Sequence, residues 1–112
     1  MTKAFHLDVR HTGAGHALIA ISGELDPVTA PLLRDQGMSL LAEGFPHLLL
    51  DMSGVDFCDS SGLSVVIALW NQAQAGGGSL ALAAVPDRLS RLLRMTAMDT
   101  LIPVRHVGDS TA

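Results

Sequence analysis

The chain has 112 residues, of which 48% are hydrophobic, with a mean hydropathy of +0.37 and a formal net charge of −4. That describes one domain, residues 1–112, with enough apolar material for a core of its own. A single cysteine excludes an internal disulfide framework, no run approaches the ~20 apolar residues of a membrane span, and the Met1–His6 start lacks the apolar stretch of a signal peptide, so a cytoplasmic protein without membrane insertion is expected.

In chain order, Ala4 to Val9 and Ala17 to Ser22 read as two short strands, and the glycines of His11-Thr12-Gly13-Ala14-Gly15-His16 mark the turn of an antiparallel hairpin. Asp26-Pro27 signals a helix, with Asp26 as cap and Pro27 in the first turn, although the start could slip to Thr29. Val28, Leu32, Leu33, Leu40 and Leu41 form its approximate inward stripe, weakened by Pro31 and Gly37. Phe45-Pro46 ends that segment, and His47 to Met52 is an apolar run of the kind buried central strands show. Leu63, Val66, Ile67 and Trp70 then share one face of a second helix, which stops before Gly76-Gly77-Gly78. Leu80 to Val85 reads as another buried strand, Pro86-Asp87 opens a third helix with Leu89, Leu92 and Leu93 inward, and Leu101 to Val104 reads as a last short strand. Helices alternating with apolar strands after an initial hairpin predict an α/β fold, a mixed sheet of four to five strands with crossover helices packed on it.

Chemistry concentrates at Asp59-Ser60-Ser61-Gly62, where a strand gives way to a helix. Amides at a helix start lack intrahelical partners and carry the positive end of the helix dipole, so a serine there can cap the helix and a phosphate on it is electrostatically favoured. Capping alone is the plain alternative, but one cap would suffice and there are two serines. The loop also follows the carboxyl end of an apolar strand, where open α/β sheets place functional surfaces. A nucleophilic serine would need a base, and neither Gly-x-Ser-x-Gly nor an evident paired histidine is present. The five histidines, His6, His11, His16, His47 and His106, show no metal-ligand spacing, and Gly76-Gly77-Gly78 lies in the wrong order to cradle a phosphate. Neither a metal nor a cofactor is therefore expected. Arg88, Arg91 and Arg94 are the nearest thing to a basic patch; three arginines at helical spacing usually form a solvated face, so direct nucleic-acid binding is not expected and a protein is the expected partner. Gly23-Glu24-Leu25-Asp26 leaves a strand as the serine loop does. If both loops share one end of the sheet, Asp26, Asp59 and Ser60 form one acidic, hydroxyl-bearing surface.

Gly23-Glu24-Leu25-Asp26, the following Thr29, and Asp51…Val55-x-Phe57-x-Asp59-Ser60-Ser61-Gly62-Leu63 resemble the STAS domain family, and within it the stand-alone bacterial anti-sigma factor antagonists. Gly76-Gly77-Gly78 and Arg91-Leu92-Leu93…Met95-Thr96 fit the family's later pattern, so the resemblance spans nearly the whole chain. It implies a non-enzymatic partner switch. The unphosphorylated protein binds an anti-sigma factor that is also a serine kinase and frees a sigma factor for transcription. Phosphorylation of the serine after the motif aspartate, Ser60 with Ser61 as second choice, ends binding, and a phosphoserine phosphatase resets the cycle. The implied partner-binding residues are Glu24, Asp26, Thr29, Asp59, Ser60, Ser61, Gly62 and Leu63. The alternative within the family is a STAS accessory subunit docked constitutively on a membrane transport ATPase or a stress-sensing assembly. One departure is the C-terminus: family members usually add a last helix, whereas Arg105 to Ala112 is short and contains glycine and serine. That helix is expected to be missing or truncated, leaving core for a partner or a second copy, as in a homodimer, to cover.

Overall fold

A computed structural model describes residues 4–105. Two antiparallel strands, β1 (His6–Gly13) and β2 (His16–Leu25), open the chain. They are followed by α1 (Ala30–Ala42), β3 (His47–Cys58), α2 (Ser60–Ala75), β4 (Ser79–Ala83), α3 (Asp87–Met95), a single 3-10 turn at Met98–Thr100 and β5 (Val104–Arg105). The sheet order is β1-β2-β3-β4-β5, with β2 to β5 mutually parallel. Crossovers between parallel neighbours are right-handed, so successive steps in one direction put α1, α2 and α3 on one face. This is the mixed α/β sheet that the alternation of elements predicts. The C-terminal helix expectation, and His106 with it, falls outside the described residues.

The core lies between that face and the helices. Alternate residues of β2 (Ala17, Ile19, Ile21, Leu25) meet Leu48, Leu50 and Met52 of β3, Leu80 and Leu82 of β4, and Leu33, Leu40, Val66, Leu69, Leu89 and Leu93 of the helices. The burial rhythm of β3 changes after Met52, where Val55 rather than residue 54 is buried. Two irregularities against β2 cause this, between Ala20 and Ser22 and between Gly23 and Glu24, where β3 spends extra residues per step. Gly54 fits there because a Cβ would lie 2.8 Å from the Ser22 Cβ and 2.9 Å from the Ile21 carbonyl oxygen. The apolar run read from the sequence stops at Met52, yet the bulged strand runs on to Cys58.

Other differences have similarly local causes. Helix α1 begins at Ala30, not Pro27, and only Leu33 and Leu40 of the expected stripe are fully buried, with Leu41 partly so. Val28 and Leu32 are instead 80% and 52% exposed. Gly37, which weakens the stripe on paper, is the contact point: a Cβ would sit 2.6 Å from the Leu69 side chain of α2. Leu69 therefore fills the notch, and α2 buries Gly62, Val65, Val66, Leu69 and Ala73, leaving Leu63, Ile67 and Trp70 half-buried beside them. Helix α2 is wedged between the sheet and α1, so it buries a wider face than one stripe. In α3, Leu89 and Leu93 are buried and Leu92 is partly so. Strand β4 stops at Ala83, before a left-handed Ala84 (φ 53°). The last strand starts only at Val104, because Pro103 has no amide to donate and Met98 to Thr100 takes a 3-10 turn.

The Gly76-Gly77-Gly78 turn separates two glycine requirements. At Gly78 a Cβ would fall on the backbone carbonyl of Pro46, which also accepts the Ser79 amide at 2.9 Å, whereas at Gly76 nothing lies closer than 3.7 Å. Gly78→Ala is expected to cost about 3 kcal/mol in urea unfolding, since backbone has to move, and Gly76→Ala to stay within about 0.5 kcal/mol. Equal effects at the two positions would contradict this packing.

Candidate functional site

Strands β2 and β3 stay paired to their last residues, Leu25 opposite Cys58, and the Asp59 amide donates to the Leu25 carbonyl at 3.1 Å. The two motif loops therefore leave the same, carboxyl, end of the sheet side by side. Helix α2 starts immediately. Its cap is Asp59, not a serine: extended backbone (φ −102°, ψ −169°) lets Oδ1 accept from the amides of Ser61 at 2.8 Å and Gly62 at 3.3 Å. Gly62 is buried, and a Cβ on it would lie 2.7 Å from the Cys58 Sγ and 2.9 Å from the Leu25 Cβ. A glycine at that position lets the first turn of α2 rest directly on the ends of β2 and β3. Gly62 thus serves the site through packing, whereas the sequence groups it with surface residues.

The serines differ. Ser60, the first residue of α2, is exposed, and its hydroxyl has no hydrogen-bond partner among the described residues. Ser61 is half-buried, as is Leu63 after it. With Asp59 holding the next two amides, the Ser60 hydroxyl is left facing solvent beside a carboxylate.

The neighbouring loop repeats the device. Asp26 Oδ1 accepts from the Val28 and Thr29 amides, both at 2.9 Å, and from the Thr29 hydroxyl at 3.1 Å. The Thr29 Oγ1 donates to the Glu24 carbonyl at 2.6 Å and accepts the Asp26 amide at 3.0 Å. Since the Ala30 amide also reaches the Asp26 carbonyl at 2.8 Å, this closed turn feeds α1. Asp26 caps the turn as the sequence suggests, while Thr29 is the residue flanking the helix proper and makes no side-chain cap. The Thr29 amide above all, helped by the Val28 amide and the Thr29 hydroxyl and opposed by partial desolvation, holds the Asp26 carboxyl below its ordinary value of 3.8. Next to these loops the Cys58 thiol is pushed up to about 11, by burial first and by the Asp59 carboxylate second, so it is neutral at physiological pH.

The structure thus brings together Glu24, Asp26, Thr29, Asp59, Ser60, Ser61 and Leu63. It adds apolar residues that sequence reasoning missed. Val28 and Leu32 flank the Asp26 turn, and Phe57, which pairs with Glu24, is 51% exposed. Val28 and Leu32 fit a helical stripe and so read as core; the late start of α1 turns them outward. Exposed apolar residues ringed by carboxylates are what a protein-docking surface presents. Two histidines also meet at the opposite end of the sheet, His16 stacking on His47 with ring centroids 4.7 Å apart. Among the described residues, no three His, Cys, Asp or Glu side chains cluster closely enough to hold a metal ion. No described helix is long and apolar enough to cross a membrane.

Against known proteins, the family model described as "Mlab, STAS domain" matches residues 8–103. The chain belongs to the STAS domain family. Among STAS proteins it is 33% identical to the anti-sigma-B factor antagonist of Bacillus subtilis over 86 residues, 77% of this chain and 78% of that one. Its fold matches the crystal structure of an anti-sigma factor antagonist from Mycobacterium paratuberculosis with a TM-score of 0.80 and 26% identity, covering 91% of this chain and 86% of the other. The fold is also that of the Bacillus cell fate determinant SpoIIAA in its phosphorylated form, with a TM-score of 0.71 at 18% identity and 90% coverage of both chains.

The lowered Asp26 pKa fixes the sign of one pH effect. A carboxyl with a folded value below the unfolded one contributes stability that is fully present above about pH 4 and lost as the pH falls through the folded value. Asp26→Asn keeps the acceptor oxygen but removes the charge. Unfolding midpoints are expected to show the wild type more stable than Asp26→Asn above about pH 5, with the gap closing below about pH 4. A gap that is independent of pH would remove the charged cap.

Proposed function

We propose that this STAS domain is an anti-sigma factor antagonist in which Ser60 is the phosphorylation switch. The bare hydroxyl, with Glu24, Asp26, Thr29, Asp59, Ser61 and Leu63 around it and Val28, Leu32 and Phe57 beside them, packs against an anti-sigma factor that is also a serine kinase. Binding sequesters that factor and releases a sigma factor. The kinase then transfers the γ-phosphoryl of ATP to the Ser60 oxygen, with ADP leaving and the hydroxyl proton released, and the complex separates. A phosphoserine phosphatase in the cytoplasm hydrolyses the ester and restores binding. In this cycle the chain is a substrate and carries out no catalysis itself.

The observation that carries the reading is the exposed, unpartnered Ser60 hydroxyl at the first position of α2. Ser61, half-buried behind it, is the second choice. The relatives named anti-sigma-B and anti-sigma F factor antagonist support the partner class. A phosphate adds roughly −1.5 to −2 charge units. The Ser61 and Gly62 amides are already held by Asp59, so the phosphate points outward from a helix start that tolerates negative charge, and α2 persists. That a phosphorylated protein shares this fold is consistent with a switch that leaves the fold in place. The effect falls on the contact surface, where new charge arrives beside Asp59 and Asp26.

A penalty of ~3 kcal/mol at that surface corresponds to more than a hundredfold in affinity. Titration of candidate kinase-type anti-sigma factors is expected to show Ser60→Ala binding like the wild type and Ser60→Asp binding at least about a hundredfold more weakly, with unchanged circular dichroism. A Ser60→Asp complex as tight as the wild type would overturn the switch and favour constitutive docking on a transport or stress-sensing assembly.

A further inference from the structure

Helix α3 presents a face that the Ser60 reading does not use. Its buried residues, Leu89 and Leu93, point one way. At 100° per residue, Arg91 lies opposite them, with Arg88 and Met95 on one side and Arg94 on the other. All four are exposed, and Met95, the last residue of the helix, is 77% exposed. Among the described residues none of these arginines lies within ion-pair distance of a carboxylate; Arg88 and Arg94 reach only the Asp56 carbonyl and the Ser90 hydroxyl, each at 3.3 Å. Asp87, in the first turn of the same helix, is likewise not ion-paired. Charge is also segregated along the chain. Arg88, Arg91, Arg94 and Arg105 make up four of its seven basic residues and are opposed over that stretch by Asp99 alone, in a protein of net charge −4. Beside the helix lies a cleft of about 130 Å³ whose apolar lining includes Val55, Phe57, Leu89 and Leu92, with Arg88 and Asp56 as its charged lining residues.

A solvated helix face accounts for scattered arginines, but not for a methionine left exposed one turn beyond Leu92, which lines an apolar cleft. Guanidinium groups not paired with an internal carboxylate are able to take carboxylates in bidentate pairs, and the cleft has room for one large apolar side chain. We propose that the α3 face is a second docking surface, for an acidic protein segment that carries one large apolar anchor residue. The anchor enters the cleft against Leu89 and Leu92, and flanking carboxylates engage Arg88 at the cleft edge and Arg91 one turn along. Its charge is opposite to that of the Asp26–Asp59 end, which it adjoins at Phe57. The inference does not depend on modification of Ser60.

The test uses the full chain and a labelled peptide in which a single phenylalanine is flanked by alternating glutamate and aspartate, with a lysine-substituted counterpart as control. The acidic peptide is expected to bind, with amide shifts confined to α3 and the β3 end. The affinity should fall on the order of tenfold when salt rises from about 0.05 to about 0.5 M. It should fall by a similar factor in the Arg88→Glu/Arg91→Glu double variant, whose exposed positions leave the core untouched, and several-fold in Met95→Ser. Absence of shifts at millimolar peptide would overturn the proposal, as would equal binding by the double variant. Arginine-dependent uptake of anionic phospholipid vesicles or single-stranded DNA without peptide binding would replace the protein segment by a membrane or a nucleic acid.

Discussion

The site depends on one close approach, that of the first turn of α2 to the ends of β2 and β3. Gly62 has no Cβ, so the helix start rests on Leu25 and Cys58. The Asp59 amide binds the Leu25 carbonyl, and the Asp59 carboxylate turns back to hold the amides of Ser61 and Gly62. These contacts fix where Ser60 stands. They also bind the Asp26 turn to the Ser60 loop, because Leu25 immediately precedes Asp26. A side chain at position 62 would lift α2 away from the sheet and misplace the serine without touching it.

The bulges of β3 serve the same arrangement. By spending extra residues against β2, they carry β3 to Cys58 in register with Leu25, so that both loops emerge together. Repeating an aspartate cap at each loop gives two rigid, acidic turns side by side, with exposed Val28, Leu32 and Phe57 between and around them. Rigid turns suit a switch whose modified and unmodified forms differ by charge at one surface, since little ordering entropy is lost when a partner binds. The α3 flank presents the contrary chemistry, exposed arginines and an exposed methionine on one helix. One small domain thereby offers two faces that differ in charge.

Much of this is legible in the sequence. The alternation of apolar strands and amphipathic segments specifies the mixed sheet, and the Asp-Ser-Ser-Gly run with its neighbours marks the candidate loop. What local pattern misreads is decided by tertiary contact. The apolar run of β3 stops at Met52, and only the closeness of Gly54 to Ser22 reveals the bulge through which the strand continues. Gly37 resembles a helix defect until Leu69 is seen filling it. Val28 and Leu32 obey helical spacing although the turn before Ala30 directs them outward. The serines read as caps because hydroxyls favour that position, whereas the preceding aspartate has the extended backbone that capping needs.

The central claim is that Ser60, held at this helix start, is the residue a partner kinase modifies. Intact-mass analysis with peptide mapping, after incubation with ATP and candidate kinase-type anti-sigma factors from the same organism, tests it most directly. The account predicts a single added phosphate, located on Ser60 and absent from Ser60→Ala. Phosphate located elsewhere, or no modification by any candidate that binds the chain, would contradict it.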